Sequence, residues 1–316
     1  DFLQATPSDR LLPQLVERLR GGATLDQAVT AAALANARAF GGEDYVGFHT
    51  LMALRPALAL SRELPTESAP LPVLKVLYRN SVRLQEIGGG KTDTLRPIVA
   101  ADVAGTEASV SQRIREQRLE DAEQQLARAV GRSPAEGFDV MLGAVEEGAD
   151  VHRVVLIHRA WDMVSLVGEA RALTMLRQSL RYCVKNEAWA SRNFADLRRR
   201  LPQILDRYGL LTGATGKRTF DADELQAWVE TLFASSPEDA AEAVGEALGA
   251  GVAPTALAEA VSLATTQLVL RDVGRQGNEV QPGKPAGSVH GDSIGVHACD
   301  SANAWRNLAP VATGKH

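Results

Sequence analysis

"LDQAVTAAALANARAF", residues 25–40, is the stretch on which the fold class turns. Its apolar residues recur with a period near 3.6, as on the buried stripe of an α-helix, and no period-two alternation competes with it. Thr24 stands just ahead of it, where a helix N-cap belongs. The same periodicity returns in "LLPQLVERLR", "DAEQQLARAV", "VHRVVLIHRAWDMVSLV", "ADELQAWVETLF" and "PTALAEAVSLATTQLVLRDV". Ser236 and Pro237 open a further helix, and Gly21, Gly249 and Gly251 follow helices as stops. "ELPTESAPLP", "GGGKTDTLRP", "YGLLTGATGKR" and "VGRQGNEVQPGKPAGS" read as loops. An all-α fold is expected.

The helix of residues 25–40 is not unique in the chain. "LVERLRGGATLDQAVTAAAL" (15–34) matches "AVGEALGAGVAPTALAEAVSLATT" (243–266) as helix, Gly-rich turn and a second helix, and "AVEEGADVHRVVLIHRA" (144–160) is a third, weaker copy. The expected architecture is one domain over 1–316, a bundle of stacked helix-pair units at 10–62, 135–206 and 236–309. The outer two would be related by a pseudo-two-fold axis.

Each outer copy leads into one pattern, "DYVGFH" at 44–49 and "DSIGVH" at 292–297. Each aspartate follows glycine and is expected to cap the next helix. Gly47 and Gly295 would each cost ~1 kcal/mol inside a helix, so another backbone or a ligand should approach closely there. His49 and His297 lie two residues further on, about 160° around the helix from the glycine, and a pseudo-two-fold axis would bring them together. If the second helix ran back through Ser288, His290 would share a face with His297. His158 aligns with Ala32 and Ala264 in the core-facing row, with Asp162 one turn later, while His152 aligns with the more exposed Asp26 and Ala258. A site of His49, His158, His290 and His297, completed by Asp162 or tuned by Asp300, would suit iron, copper or zinc. Tyr45 and Arg55 would stand near the substrate. Separate hydrogen-bonded core histidines are the competing picture.

Composition bounds the function. The chain has 316 residues, 45% of them apolar and 23% charged, with a formal net charge of −5. Its charges are interspersed, so no basic field exists to recruit nucleic acid, and "RRR" at 198–200 reads as a solvated helix face. No apolar run is long enough to insert into a membrane. Two cysteines without a CxxC make neither a disulfide framework nor a thiol redox pair. A start at Asp1 rather than Met fits a removed leader or a trimmed chain, leaving a soluble protein either cytoplasmic or exported. "QEIGGGKT" and "GATGKRT" have the wrong spacing for a phosphate loop and read as turns. Arg55, Arg177 and Arg306 are expected to pair with carboxylates or cap helix ends, and Trp161, Trp189, Trp228 and Trp305 to anchor packing.

"GGATLDQAVTAAALANARAFGGEDYVGFHTLMAL" (21–54) resembles the helical unit of the alkylhydroperoxidase-D and carboxymuconolactone decarboxylase superfamily, in which a Gly-Ala-opened helix leads into a helix carrying a late His. The resemblance implies an all-α bundle acting on peroxides or small cyclic acids, with His49 and, by repeat, His297 carried over. The CxxC of the peroxidase branch is replaced by Gly-Gly-Glu-Asp-Tyr, which argues against thiol peroxidase chemistry. "SIGVHACDSANAWR" is similar to questin oxidase-like proteins, which implies oxidative chemistry. The leading expectation is a metal-dependent oxidoreductase acting on a small organic or oxygen-derived substrate, with a homo-oligomer possible. Metal-free His acid/base chemistry of the lyase or decarboxylase kind and a non-catalytic helical scaffold are the alternatives.

Overall fold

A computed structural model describes residues 1–88, 94–98, 109–146 and 148–312. Among these there are fifteen α-helices, two short 3-10 turns and no strand. In chain order they are α1 (Phe2–Ala5), α2 (Ser8–Arg20), α3 (Leu25–Phe40), α4 (Tyr45–Glu63), α5 (Leu71–Glu86), α6 (Val110–Arg115), α7 (Leu119–Arg132), α8 (Pro134–Glu146), α9 (Val151–Val167), α10 (Ala172–Asn193), α11 (Ala195–Arg207), α12 (Ala222–Ala234), α13 (Pro237–Gly249), α14 (Pro254–Leu270) and α15 (Ile294–Leu308). The all-α expectation holds, and the loops fall where Gly and Pro punctuate the chain. "GGGKTDTLRP" and "QEIGGGKT" run across residues 89–93 and so lie partly outside the described residues, as Glu147 of the third copy lies wholly outside them. The chain divides into two compact units, residues 1–146 with 156–192 and residues 147–155 with 193–316.

In the first unit α4 packs on α3 and α5, α1 and α2 lie against α5, and α6, α7 and α8 form a second trio. Thr24 and Gln27 make a reciprocal capping box at the start of α3. Its buried face is built from Ala32, Ala33, Ala35, Ala37 and Ala39, whose small side chains let neighbouring backbones approach closely. Where they approach, the fully buried Asn36 donates to Asn80 Oδ1 of α5 at 2.7 Å and to the Gly47 carbonyl of α4 at 2.7 Å. Thr50 joins both groups, at 2.8 Å to Gly47 O and 3.0 Å to Asn80 Oδ1. Three helices are thus pinned in register by one buried polar knot that apolar contacts alone would leave free to slide.

Gly41 ends α3 in the left-handed conformation at φ 56°, and a Cβ on Gly42 would fall 2.1 Å from the Gln178 carbonyl oxygen. That contact seats the α3–α4 turn on α10. A buried ionic chain runs beside it: Arg177 and Arg181 meet Glu123 at 3.0 and 3.1 Å, and Arg181 reaches on to Glu43. Arg177 also donates to the Arg96 carbonyl at 2.8 Å.

The second unit joins α12 to α14, α14 to α15 and α11 to α13. Its core gathers Ala247, Val252, Ala253, Ala256 and Leu257, with Phe220 and Trp228 packed against them. Ser236 caps α13 through the Asp239 N–H. The basic run on α11 is a paired surface face, with Arg199 and Arg200 both on Asp196. "GATGKRT" lies in the α11–α12 connection, where Arg218 bridges to Val252.

Candidate functional site

Asp44 and Asp292 were expected to act alike, and they do not. Asp44 is the N-cap of α4, accepting from the Gly47 N–H at 2.8 Å while pairing with Arg83 at 2.6 Å. Burial pushes its carboxyl up, but the Arg83 and backbone hydrogen bonds outweigh that and hold it below the usual carboxylate range. In the second copy Ser293, not Asp292, caps the helix, its hydroxyl accepting from the Val296 N–H. The helix therefore begins at Ile294. His290 lies ahead of it, so it shares no helical face with His297; its Nδ1 accepts from the Asp292 N–H at 3.0 Å.

The expected close approach of another backbone is found at Gly295, whereas at Gly47 the close neighbour is a side chain. A Cβ on Gly47 would lie 2.5 Å from the Phe40 ring, and one on Gly295 would lie 2.8 Å from the Val269 backbone nitrogen. Each helix thus crosses the end of the one before it at van der Waals distance.

The residues expected to form one site fall in both compact units. His49 belongs to the first unit and His297 to the second. His49 sits between the Tyr45 and Phe48 rings, at centroid distances of 4.4 and 4.7 Å, with Nδ1 2.6 Å from the Tyr45 carbonyl. Arg55 and Asp162 form an ion pair at 2.8 Å, and Arg159 reaches the same carboxylate at 3.5 Å. Asp162 is thereby engaged by two guanidinium groups. Arg177 and Arg306 also pair with carboxylates, Glu123 and Glu259. His158 is buried on α9 among Val154, Val155 and Ile157, and its Nδ1 has no hydrogen-bond partner among the described residues. Desolvation, reinforced by Arg159 and opposed by Asp162, holds this imidazole down at about 4. It is neutral at pH 7.

What the second unit does bring together is His152 and His297, ring centroids 5.9 Å apart and nearly perpendicular. Beside them Asp150 is buried, its carboxylate 3.4 Å from His152 Nδ1 and accepting from the His152 backbone N–H at 3.3 Å. Asp150 thus occupies the N-terminal edge of α9, where a carboxylate stabilises the free N–H groups, and from there it also faces the imidazole. Sequence reasoning placed His152 on an exposed face by aligning it with Asp26 and Ala258. The signal available was local: an acid two residues before a histidine at a helix start, as in "GADVHR".

Among the described residues no three His, Cys, Asp or Glu side chains are placed to hold a metal ion, and no helix is long and apolar enough to cross a membrane. Comparison with protein-family models, with curated protein sequences and with solved structures finds no match. The function is therefore argued from the geometry of the chain itself.

Proposed function

We propose that the protein is an enzyme of imidazole acid/base chemistry, acting on a small organic substrate at Asp150, His152 and His297. The observation that carries this reading is the His152–His297 contact at 5.9 Å with the buried Asp150 carboxylate against His152 Nδ1. A carboxylate in that position favours the tautomer with the proton on Nδ1 and leaves Nε2 able to accept one. A second imidazole at this range can supply the complementary acid, so that one ring removes a proton and the other returns one to the product. Lyase or decarboxylase-type steps on small cyclic acids need that pair of roles, and they are the activity that the carboxymuconolactone decarboxylase resemblance implies.

The iron, copper or zinc oxidoreductase expected from the histidine count needs three converging donors, which the described residues do not assemble. The stacked-repeat reading is retained within the proposal. It is supported by the matched glycines of α4 and α15, each seated on the end of the preceding helix.

The test is solvent-deuterium exchange and elimination on a panel of small organic acids and lactones, run with metal-free protein. His152→Gln and His297→Gln should each lower the rate by about 10²–10⁴-fold. Asp150→Asn, which removes the orienting carboxylate, should lower it at least tenfold. Activity that appears only with stoichiometric metal, or that survives both histidine substitutions, rejects the reading.

A further inference from the structure

The second unit holds a cleft of about 370 Å³ between α12, α13 and α14, within the size range of small-molecule sites. Leu232 and Phe233 form one wall, Ala240 and Val244 a second, and Val261 and Leu268 the third. Thr265 is the one lining side chain with a polar atom, and its hydroxyl donates to the Ser262 carbonyl at 2.9 Å, which leaves the interior without a free donor. Nothing in this lining would hold a polar ligand; it suits a hydrocarbon chain.

The rim is different. Arg271, one residue beyond the end of α14, lies over the Phe233 ring at 4.5 Å from its centroid. Its guanidinium donates to the Gln267 side chain at 2.5 Å, and no carboxylate of the described residues pairs with it. Five other arginines of this unit meet acids: Arg199 and Arg200 at Asp196, Arg207 at Glu242, Arg218 at Glu224 and Arg306 at Glu259. An unpaired cation at the mouth of an apolar cleft is complementary to one kind of molecule, an apolar chain ending in an anion.

We propose that this cleft is a binding site for an amphipathic carboxylate, the chain seated between α12, α13 and α14 and the carboxylate on the Arg271 guanidinium. Arg271 can meet a carboxylate with two parallel N–H groups while its other face stays on Phe233. Size favours a medium-length chain over a long lipid. This site stands apart from the imidazole chemistry, and its test does not depend on that reading.

The experiment is isothermal titration of the full chain with decanoate below its micelle concentration, with octanoate, decanol and decyltrimethylammonium as comparison ligands. Decanoate should saturate at one per chain, octanoate should bind about tenfold more weakly, and the cationic amphiphile should not compete. Arg271→Gln should weaken decanoate at least fivefold and leave decanol unchanged, with Arg271→Lys recovering only part of the affinity, since an ammonium lacks the two-pronged fork and the planar face that lies on Phe233. Ala241→Trp, at an exposed position of the cleft lining, should abolish both ligands without changing the helical circular dichroism. Absence of saturable decanoate binding overturns the proposal, as does equal binding by Arg271→Gln. A concentration-dependent dimer that Ala241→Trp dissolves would show the cleft to be filled by a second copy of the chain, which also overturns it.

Discussion

His152 and His158 stand six residues apart on one helix, and they have opposite surroundings. His158 lies in the first unit, buried near Arg159 and Asp162, with no hydrogen-bond partner for Nδ1 among the described residues and a pKa held down at about 4. His152 lies in the second, with a carboxylate on one side and a second imidazole on the other. Desolvation dominates at His158 and keeps it neutral, whereas a carboxylate and a second imidazole stand beside His152. Counting histidines on core-facing positions does not separate these cases.

The comparison breaks most visibly in paired substitutions. His297→Gln should remove two to four orders of magnitude of activity while shifting the melting temperature little, because the ring is only partly buried. Glu123→Ala probes the other extreme, a charge buried for structure. Leaving Arg177 and Arg181 without their shared carboxylate should cost about 3–5 kcal/mol in denaturant unfolding; a loss under about 1 kcal/mol would show that water or Glu43 compensates.

His158 gives the next effect. Its folded value near 4 lies below the 6.5 of the unfolded chain, so the unfolded state takes up a proton first as pH falls. The stability tied to its neutral form is complete above about pH 6.5 and is lost between there and pH 4, about 3 kcal/mol in all. Urea melts at pH 7.5 and pH 4 should show that loss in the native chain and its removal in His158→Leu. An acid dependence that is identical in the variant would place the sensitivity elsewhere.

The smallest effect concerns the paired glycines. Gly47→Ala meets the base of the Phe40 side chain, its Cβ, Cγ and Cδ2, which can shift with the side chain, whereas Gly295→Ala meets the Leu268–Val269 backbone, which has less room to move. Each should cost about 1–3 kcal/mol, with Gly295→Ala the larger. The reverse order would mean that the α14–α15 crossing relaxes more readily than the α3–α4 one.

Helix class, two of the caps and the close crossings were legible because each is written in local spacing: Thr24 before α3, Asp44 before α4, and Gly47 and Gly295 just inside their helices, whereas the cap expected of Asp292 fell to Ser293. The Asn36–Thr50–Asn80 knot was not, since it joins residues up to 44 apart whose polar character looks incidental on any one helix. The four-histidine expectation rested on residue type and register, and the described residues hold no group of three donors that would complete it. The alignment of copies weighted His49, Asp162 and Arg55, and Arg55 and Asp162 are paired to each other. His152 was ranked low because the copies were compared by register, whereas its surroundings depend on Asp150, which only a look at the helix start would have connected to it.

A double-mutant cycle on His152 and His297 tests the central claim most directly. If the two imidazoles act as one proton-transfer unit, His152→Gln with His297→Gln should be no more than about tenfold slower than either single variant, the losses being strongly non-additive. Losses that multiply, or a single variant with unchanged rate, would contradict a shared site.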